Sequence, residues 1–294
     1  MTEFVQSIVL GLLIGGTYAL LASGLTLIFG VMGVINIAHG AFLILAAFVT
    51  YSIWTATGLD PLVSVVFTTP LMFAFGWALY TVAVQRVRGA HISSSVLLTF
   101  ALALVIEGGM GLIWGNTSHS VRPAYVNESF TVGDIFLPEA QVYGCAVAAV
   151  VLTALYLFLT RTWLGRAIRA SAVNPSGAAL VGVNVSGVAA LTFAIGTAAA
   201  GAGGSIVSVL YPFLPGSHYQ WIARLLGIIV LGGMGSLPGA VIGALLLGIA
   251  ETLTVTYISP AWATAVPYLF IFVVLLVRPQ GLMGSRLRED VAPA

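Results

Sequence analysis

Apolar residues run in long blocks along this chain, and polar residues sit in short intervals between them. About nine such blocks fall at 7–29, 38–57, 62–84, 92–114, 139–160, 188–210, 221–232, 240–257 and 263–277. Most approach the roughly 20 residues that a helix needs to cross a hydrocarbon core. The block at 221–232 is too short to cross as a straight helix. The pattern predicts an all-α polytopic membrane bundle forming a single domain over 1–294, with some segments broken or re-entrant.

Two glycine-punctuated stretches interrupt the apolar pattern, Gly30–Gly40 and Gly232–Gly239. Offset by 202 positions, they match at Gly30/Gly232, Met32/Met234, Gly33/Gly235, Ile35/Leu237 and Ala38/Ala240. This suggests an internal repeat of the kind transporters use. Glycine and proline free backbone groups that protein or a water-lined cavity must then satisfy. Asn36, His39, Gly232, Gly235 and Pro238 are therefore candidates for a translocation pathway.

Composition supports the membrane reading. Charged residues are 6% of the chain, against roughly 25% in soluble domains, and mean hydropathy is +1.09. All ten basic residues are arginine, so lysine-based phosphate binding and Schiff-base chemistry are excluded. A single cysteine, Cys145, permits no internal disulfide. The first block lacks a basic leader and carries Glu3, so it is not expected to be a cleaved signal. A net charge of +1 leaves no nucleic-acid footprint.

Arginine placement predicts the orientation. Arg86, Arg88, Arg161, Arg166, Arg169, Arg278, Arg286 and Arg288 fall on one side, taken as cytosolic. Glu3, Asp60, Glu128, Asp134 and Glu139 fall on the other. The amino terminus is then outside and the carboxyl terminus inside. The loop 115–138 is external and irregular, with a short hairpin.

Four ionisable residues lie in or beside apolar blocks: His39, Glu107, Arg224 and Glu251. Each is costly in hydrocarbon and is expected to face the bundle interior, a cavity or a partner, so Glu107, Arg224 and Glu251 join the candidates for the translocation pathway. Arg224, one turn from the outer end of its block, is expected to snorkel outward. No HExxH, GxSxG or intramembrane aspartate pair is present, so the chain is not expected to be an enzyme.

The stretch 161–187 differs from every other part of the chain. Trp163–Ala170 reads as an extension of the fifth helix, with Arg166 and Arg169 on one face. Asn174-Pro175 breaks it and starts a second helix, Asn174 as cap and Pro175 in the first turn. Ala178 lies in that helix and Gly182 ends it. A short, small-sided helix beneath a membrane suits a groove on another protein.

Three motifs carry a resemblance: Val34-Ile-Asn-Ile-Ala-His-Gly40; Gly165-Arg-Ala-Ile-Arg-Ala170 with Gly182-Val-Asn184; and Val230-Leu-Gly-Gly-Met-Gly-Ser-Leu-Pro-Gly-Ala240 running into Glu251. In their order and spacing the chain resembles, nearly end to end, the permease subunits of bacterial branched-chain amino acid ABC importers. That resemblance implies a multi-pass protein of the inner (cytoplasmic) membrane with no cofactor of its own. ATP would be bound by two cytosolic ABC ATPase subunits. The other implied partners are a second homologous permease, a periplasmic or lipid-anchored substrate-binding protein and the lipid bilayer. The stretch 161–187 would be the ATPase-coupling segment, through Gly165, Arg166, Arg169, Asn174, Ala178 and Gly182. Permeases for urea, short amides and aromatic acids share these motifs. An ion- or proton-coupled carrier using Glu107 and Glu251 is a further alternative.

Overall fold

The computed structural model describes residues 2–87 and 92–284; Arg88, Arg286 and Arg288, used above for orientation, lie outside them. All nine apolar blocks form helices. The long ones are α1 (Thr2–Met32), α2 (His39–Thr57), α3 (Val65–Leu79), α5 (Ile92–Trp114), α6 (Glu139–Arg161), α9 (Val185–Leu210) and α11 (Leu237–Tyr257). A π-turn at Tyr80–Val84 and a last turn, α4 (Gln85–Val87), carry α3 onward. Short helices complete the order: α7 (Trp163–Val173), α8 (Pro175–Leu180), α10 (His218–Gly232), α12 (Pro260–Ala263) and α13 (Val266–Val277). Among the described residues, seven helical spans are long and apolar enough to cross a membrane.

The helices pack through small residues, because lipid supplies no hydrophobic drive to bring them together. At the centre is α9, whose Ala198–Ser205 run contains only Ala, Gly and Ser and is buried throughout. Gly196 of α9 meets Gly24 of α1, Gly201 meets Thr68 and Met72 of α3, and Gly204 meets Leu43 and Ala46 of α2. Hydroxyls tie three of these helices: Ser205 lies 2.8 Å from both Thr50 of α2 and Thr68 of α3. On the other flank α1 and α11 run antiparallel, with Gly11 and Gly15 facing Gly248.

The first broken stretch is re-entrant. After α1 the chain turns back into the bundle, so that the His39 ring reaches the Leu21 carbonyl, midway along α1, at 3.2 Å. Non-helical backbone there needs protein partners, and Thr99 of α5 supplies them. Its hydroxyl accepts from the Ile37 N–H at 3.2 Å and lies 3.3 Å from the Ile35 carbonyl.

The second stretch, Gly232–Gly239, is instead a tight turn between α10 and α11. Gly233 and Gly235 take φ of +101° and +85°, and the Ser236 side chain caps α11 through the Gly239 N–H at 3.1 Å. Backbone bonds from Leu282 and Met283 to the Leu231 and Gly232 carbonyls seal it, at 2.8 and 3.0 Å.

A second largely non-helical segment comparable to 33–38 lies at 211–217, outside the stretch matched by the offset of 202. There α9 ends at Leu210, the chain runs through a 3₁₀ turn at Pro215–Ser217, and α10 starts at His218. A Cβ on Gly40 would lie 2.6 Å from the His218 carbonyl oxygen, so the N-termini of α2 and α10 meet inside the bundle. The α1–α11 and α3–α9 packings are the most extensive among the described residues. Each of the two long helices α1 and α9 is thus followed by a largely non-helical segment and then a helix headed by histidine, α2 and α10.

One end of the bundle carries an antiparallel hairpin, β1 (Ser129–Val132) with β2 (Ile135–Pro138). Tyr125 donates to Asp60 there at 3.2 Å, and burial and that carboxylate hold its phenol well above the usual range. The opposite end carries α7 and α8. Here the structure corrects the reading of α7 as an extension of the fifth helix. Helix α6 stops at Arg161, Thr162 is extended at φ −95°, ψ 158°, and its side chain caps α7.

A Cβ on Gly248 would overlap the Gly11 carbonyl oxygen, whereas one on Gly108 would meet nothing within 4 Å. Gly248→Val is accordingly expected to destabilise the bundle by about 1–3 kcal/mol and to lower its melting temperature in detergent. Gly108→Val should leave that temperature unchanged.

Candidate translocation and coupling sites

Three of the four intramembrane ionisable residues, Arg224, Glu251 and Glu107, fall in two separate clusters. In the first, Arg224 of α10 donates from Nε to Glu251 Oε1 of α11 at 2.8 Å, and the Tyr18 hydroxyl of α1 donates to Glu251 Oε2 at 2.7 Å. The Tyr211 hydroxyl lies 3.5 Å from that of Tyr18. The guanidinium carbon stands 5.4 Å from the Tyr18 ring centre and 5.0 Å from that of Trp221. Ion pair, phenol donor and aromatic walls together satisfy both charges away from water. Arg224 thus does not snorkel outward as expected: an opposing carboxylate one helix away holds it inward.

The second cluster joins α5 to the head of α10. The His218 ring and the Tyr219 hydroxyl both approach Glu107 Oε2 at 3.0 Å. The carboxylate stands at the first turn of α10, where the helix dipole favours negative charge. Its side chain keeps 28% of its surface exposed, while the His218 side chain keeps 1%.

His39 and Asn36 join neither cluster. Both are fully buried, and the Asn36 carbonyl accepts the His39 N–H at 3.2 Å. The Asn36 amide and His39 Nδ1 have no hydrogen-bond partner among the described residues. Gly232, Gly235 and Pro238 lie in the α10–α11 turn, apart from both clusters, with Gly235 against Gly30.

The coupling candidates divide by burial. Arg166, Arg169, Asn174 and Gly182 are exposed, whereas Gly165 and Ala178 are buried. Gly165 presses on the backbone of Phe158 and Leu159, which lets α7 fold closely against the end of α6. Ala167 and Ile168, on the inner face of α7, pack with Leu155, Leu159, Leu27 and Val188. Asn174 Oδ1 accepts from the Gly177 N–H at 2.9 Å and starts α8 as expected. Gly182, at φ +85°, follows its end. Val173, Leu180 and Val181 project into the surroundings at 82%, 89% and 79% exposure.

Tyr18, Tyr211, Trp221, His218 and Tyr219 were missed as site residues. A phenol inside an apolar block needs a partner for its hydroxyl, and Tyr18 carried that signal. His218 sits in an interval between blocks, and only the fold brings it to the N-terminus of α2 and to Glu107.

Seven helical spans of crossing length among the described residues, with ionic groups between them, define the class as a polytopic helical membrane protein. Comparisons with known proteins identify the family. The model for "Branched-chain amino acid transport system / permease component" matches residues 7–275. The Escherichia coli K12 high-affinity branched-chain amino acid transport system permease protein LivH is 32% identical over 98% of each chain. The Pseudomonas aeruginosa permease protein BraD is 30% identical, again over 98% of each chain. A probable LivH of Methanocaldococcus jannaschii is 26% identical over 90% of this chain and 88% of its own. No solved structure matches. The chain belongs to this family of transport-system permease components. It is a multi-pass membrane permease subunit of an ABC importer, and not an enzyme.

Removing Arg224 would strand the Glu251 charge. Arg224→Ala is expected to cost about 3–5 kcal/mol, read as a lower melting temperature in detergent. The double substitution Arg224→Met with Glu251→Met should recover much of that loss.

Proposed function

We propose that this chain is one half of an importer for branched-chain amino acids, driven by ATP hydrolysed on two separate cytosolic subunits. The chain would pair with a second, homologous permease and receive substrate from a periplasmic or lipid-anchored binding protein. The substrate class is the one named for LivH and BraD, which align with this chain from end to end.

The orientation that fits is the amino terminus outside and the carboxyl terminus in the cytosol. Arg161, Arg166, Arg169 and Arg278 cluster at the α7–α8 end, while Asp60, Glu128, Asp134 and Glu139 belong to the hairpin end. Basic residues are retained on the cytosolic side. The hairpin end then faces the binding protein and α7–α8 faces the ATPase.

The observation that carries the reading is the surface of α7 and α8. Arg166 and Arg169 point away from the packed face of α7. Beside them Val173, Leu180 and Val181 expose apolar surface on two helices, each with a side-chain cap at its N-terminus. Apolar residues so exposed outside the apolar spans mark a protein contact. Because Ala167 and Ile168 root α7 on α6 and α9, movement of a docked ATPase would reach the helices that surround the pathway. ATP binding and release would thereby switch the cavity between its two sides.

With the assembled importer in proteoliposomes, Arg166→Glu with Arg169→Glu is expected to reduce ATP-dependent leucine uptake at least tenfold, as is Leu180→Asp. The variants should elute at the wild-type permease size. Unchanged uptake in both variants would remove 161–187 as the coupling element.

A further inference from the structure

Of the two glutamates within the bundle, Glu251 is satisfied by the Arg224 guanidinium and the Tyr18 hydroxyl. Glu107 is not. Both of its side-chain donors converge on Oε2, and among the described residues no guanidinium approaches it. Its other oxygen, Oε1, faces Gly216: a Cβ there would lie 3.5 Å from Oε1 and 3.4 Å from Leu214 Cδ1. The absent side chain leaves Oε1 open beside an aliphatic group.

Depth and surroundings narrow what Oε1 faces. Glu107 is seven residues from the end of α5 at Trp114, about 10 Å along the helix axis at 1.5 Å per residue. The exposed flank of α5 is otherwise apolar, with Phe100, Leu104, Val105 and Leu112. A part-exposed carboxylate at that depth does not face lipid. It faces protein or a water-filled route, and the space beside it is bordered by Leu214 and Tyr219, both partly exposed. The site thus offers one fixed, open carboxylate oxygen next to aliphatic and aromatic surface.

We propose that Glu107, oriented by His218 and Tyr219, receives the primary ammonium group of an aliphatic amino acid during passage, with Leu214 and Tyr219 flanking its side chain. This rests on the amino-acid permease reading above and adds to it a specific subsite and the part of the substrate that it recognises. Glu251, by contrast, belongs to the fixed frame. His218 and Tyr219 are positioning residues here, holding Oε2 so that Oε1 is presented.

The test uses the purified importer, permeases with ATPases, in nanodiscs. Affinities are measured by titration calorimetry for leucine, for leucinol (ammonium without carboxylate) and for 4-methylpentanoate (carboxylate without ammonium). Glu107→Gln is expected to weaken leucine and leucinol at least tenfold and to leave 4-methylpentanoate unchanged. Glu107→Asp, which keeps the charge, should keep the preference for leucinol over 4-methylpentanoate. Equal losses for all three ligands would mean a packing defect and overturn the proposal, as would unchanged leucinol affinity. ATP-driven leucine uptake with the binding protein present, measured on the wild type, separates the two levels. If the wild type takes up no leucine, the amino-acid reading itself falls and the subsite with it. If uptake is intact and Glu107→Gln binds leucinol as the wild type does, only the subsite falls.

Discussion

A charge or a bare peptide group within a hydrocarbon layer must be met by protein, and the architecture follows from that requirement. Four elements converge on Arg224 and Glu251: the pair itself joins α10 to α11, Tyr18 adds α1, and Tyr211 adds the segment after α9. Breaking a desolvated pair leaves an uncompensated charge, which costs far more than the net worth of the pair. The pair therefore holds the half-helix α10 in place against the two antiparallel helices α1 and α11. It also sorts the glutamates, one consumed by structure and the other left open.

The same requirement governs the backbone. A half-helix ending inside a membrane is tolerable only where its preceding segment finds hydrogen-bond partners. Thr99 provides these for residues 33–38. On the other half, Phe213 bonds to His119 through both backbone groups at 2.8 and 2.9 Å. The smallness of α9 makes room for both arrangements, since backbone-to-backbone approach to α1, α2 and α3 leaves space for the chain to turn back between helices. The inner ends of α2 and α10 are held by these few polar contacts, and α7 packs on α6 and α9 at the end of the bundle opposite the hairpin.

Much of this was legible in the sequence, for reasons that differ from residue to residue. The helices were visible because lipid-facing residues must be apolar over a fixed length, and the Asn174-Pro175 start of α8 because capping chemistry is local. The break at Thr162 was not visible, since an apolar run with arginine on one face reads equally well as a continuing helix. The repeat expected from glycine identities paired Gly30–Gly40, which re-enters the bundle, with Gly232–Gly239, which is a tight turn. His39 and His218 each begin a helix whose N-terminus lies inside the bundle, within dissimilar sequence surroundings. Arg224 was placed outward for want of its partner: nothing in one sequence says that residues 224 and 251 lie side by side. The separate standing of Glu107 depended on knowing that Arg224 was already engaged.

The central claim is that this chain works as a permease driven through 161–187 by an ATPase on another chain. The most direct measurement is mild-detergent purification of the tagged chain from its host, followed by mass spectrometry of what co-purifies. The account predicts a P-loop ATPase and a second permease with the intact chain, and loss of the ATPase alone when Leu180 and Val181 are replaced by aspartate. A chain that runs alone or as a homodimer in several detergents, with no ATPase attached, would contradict it.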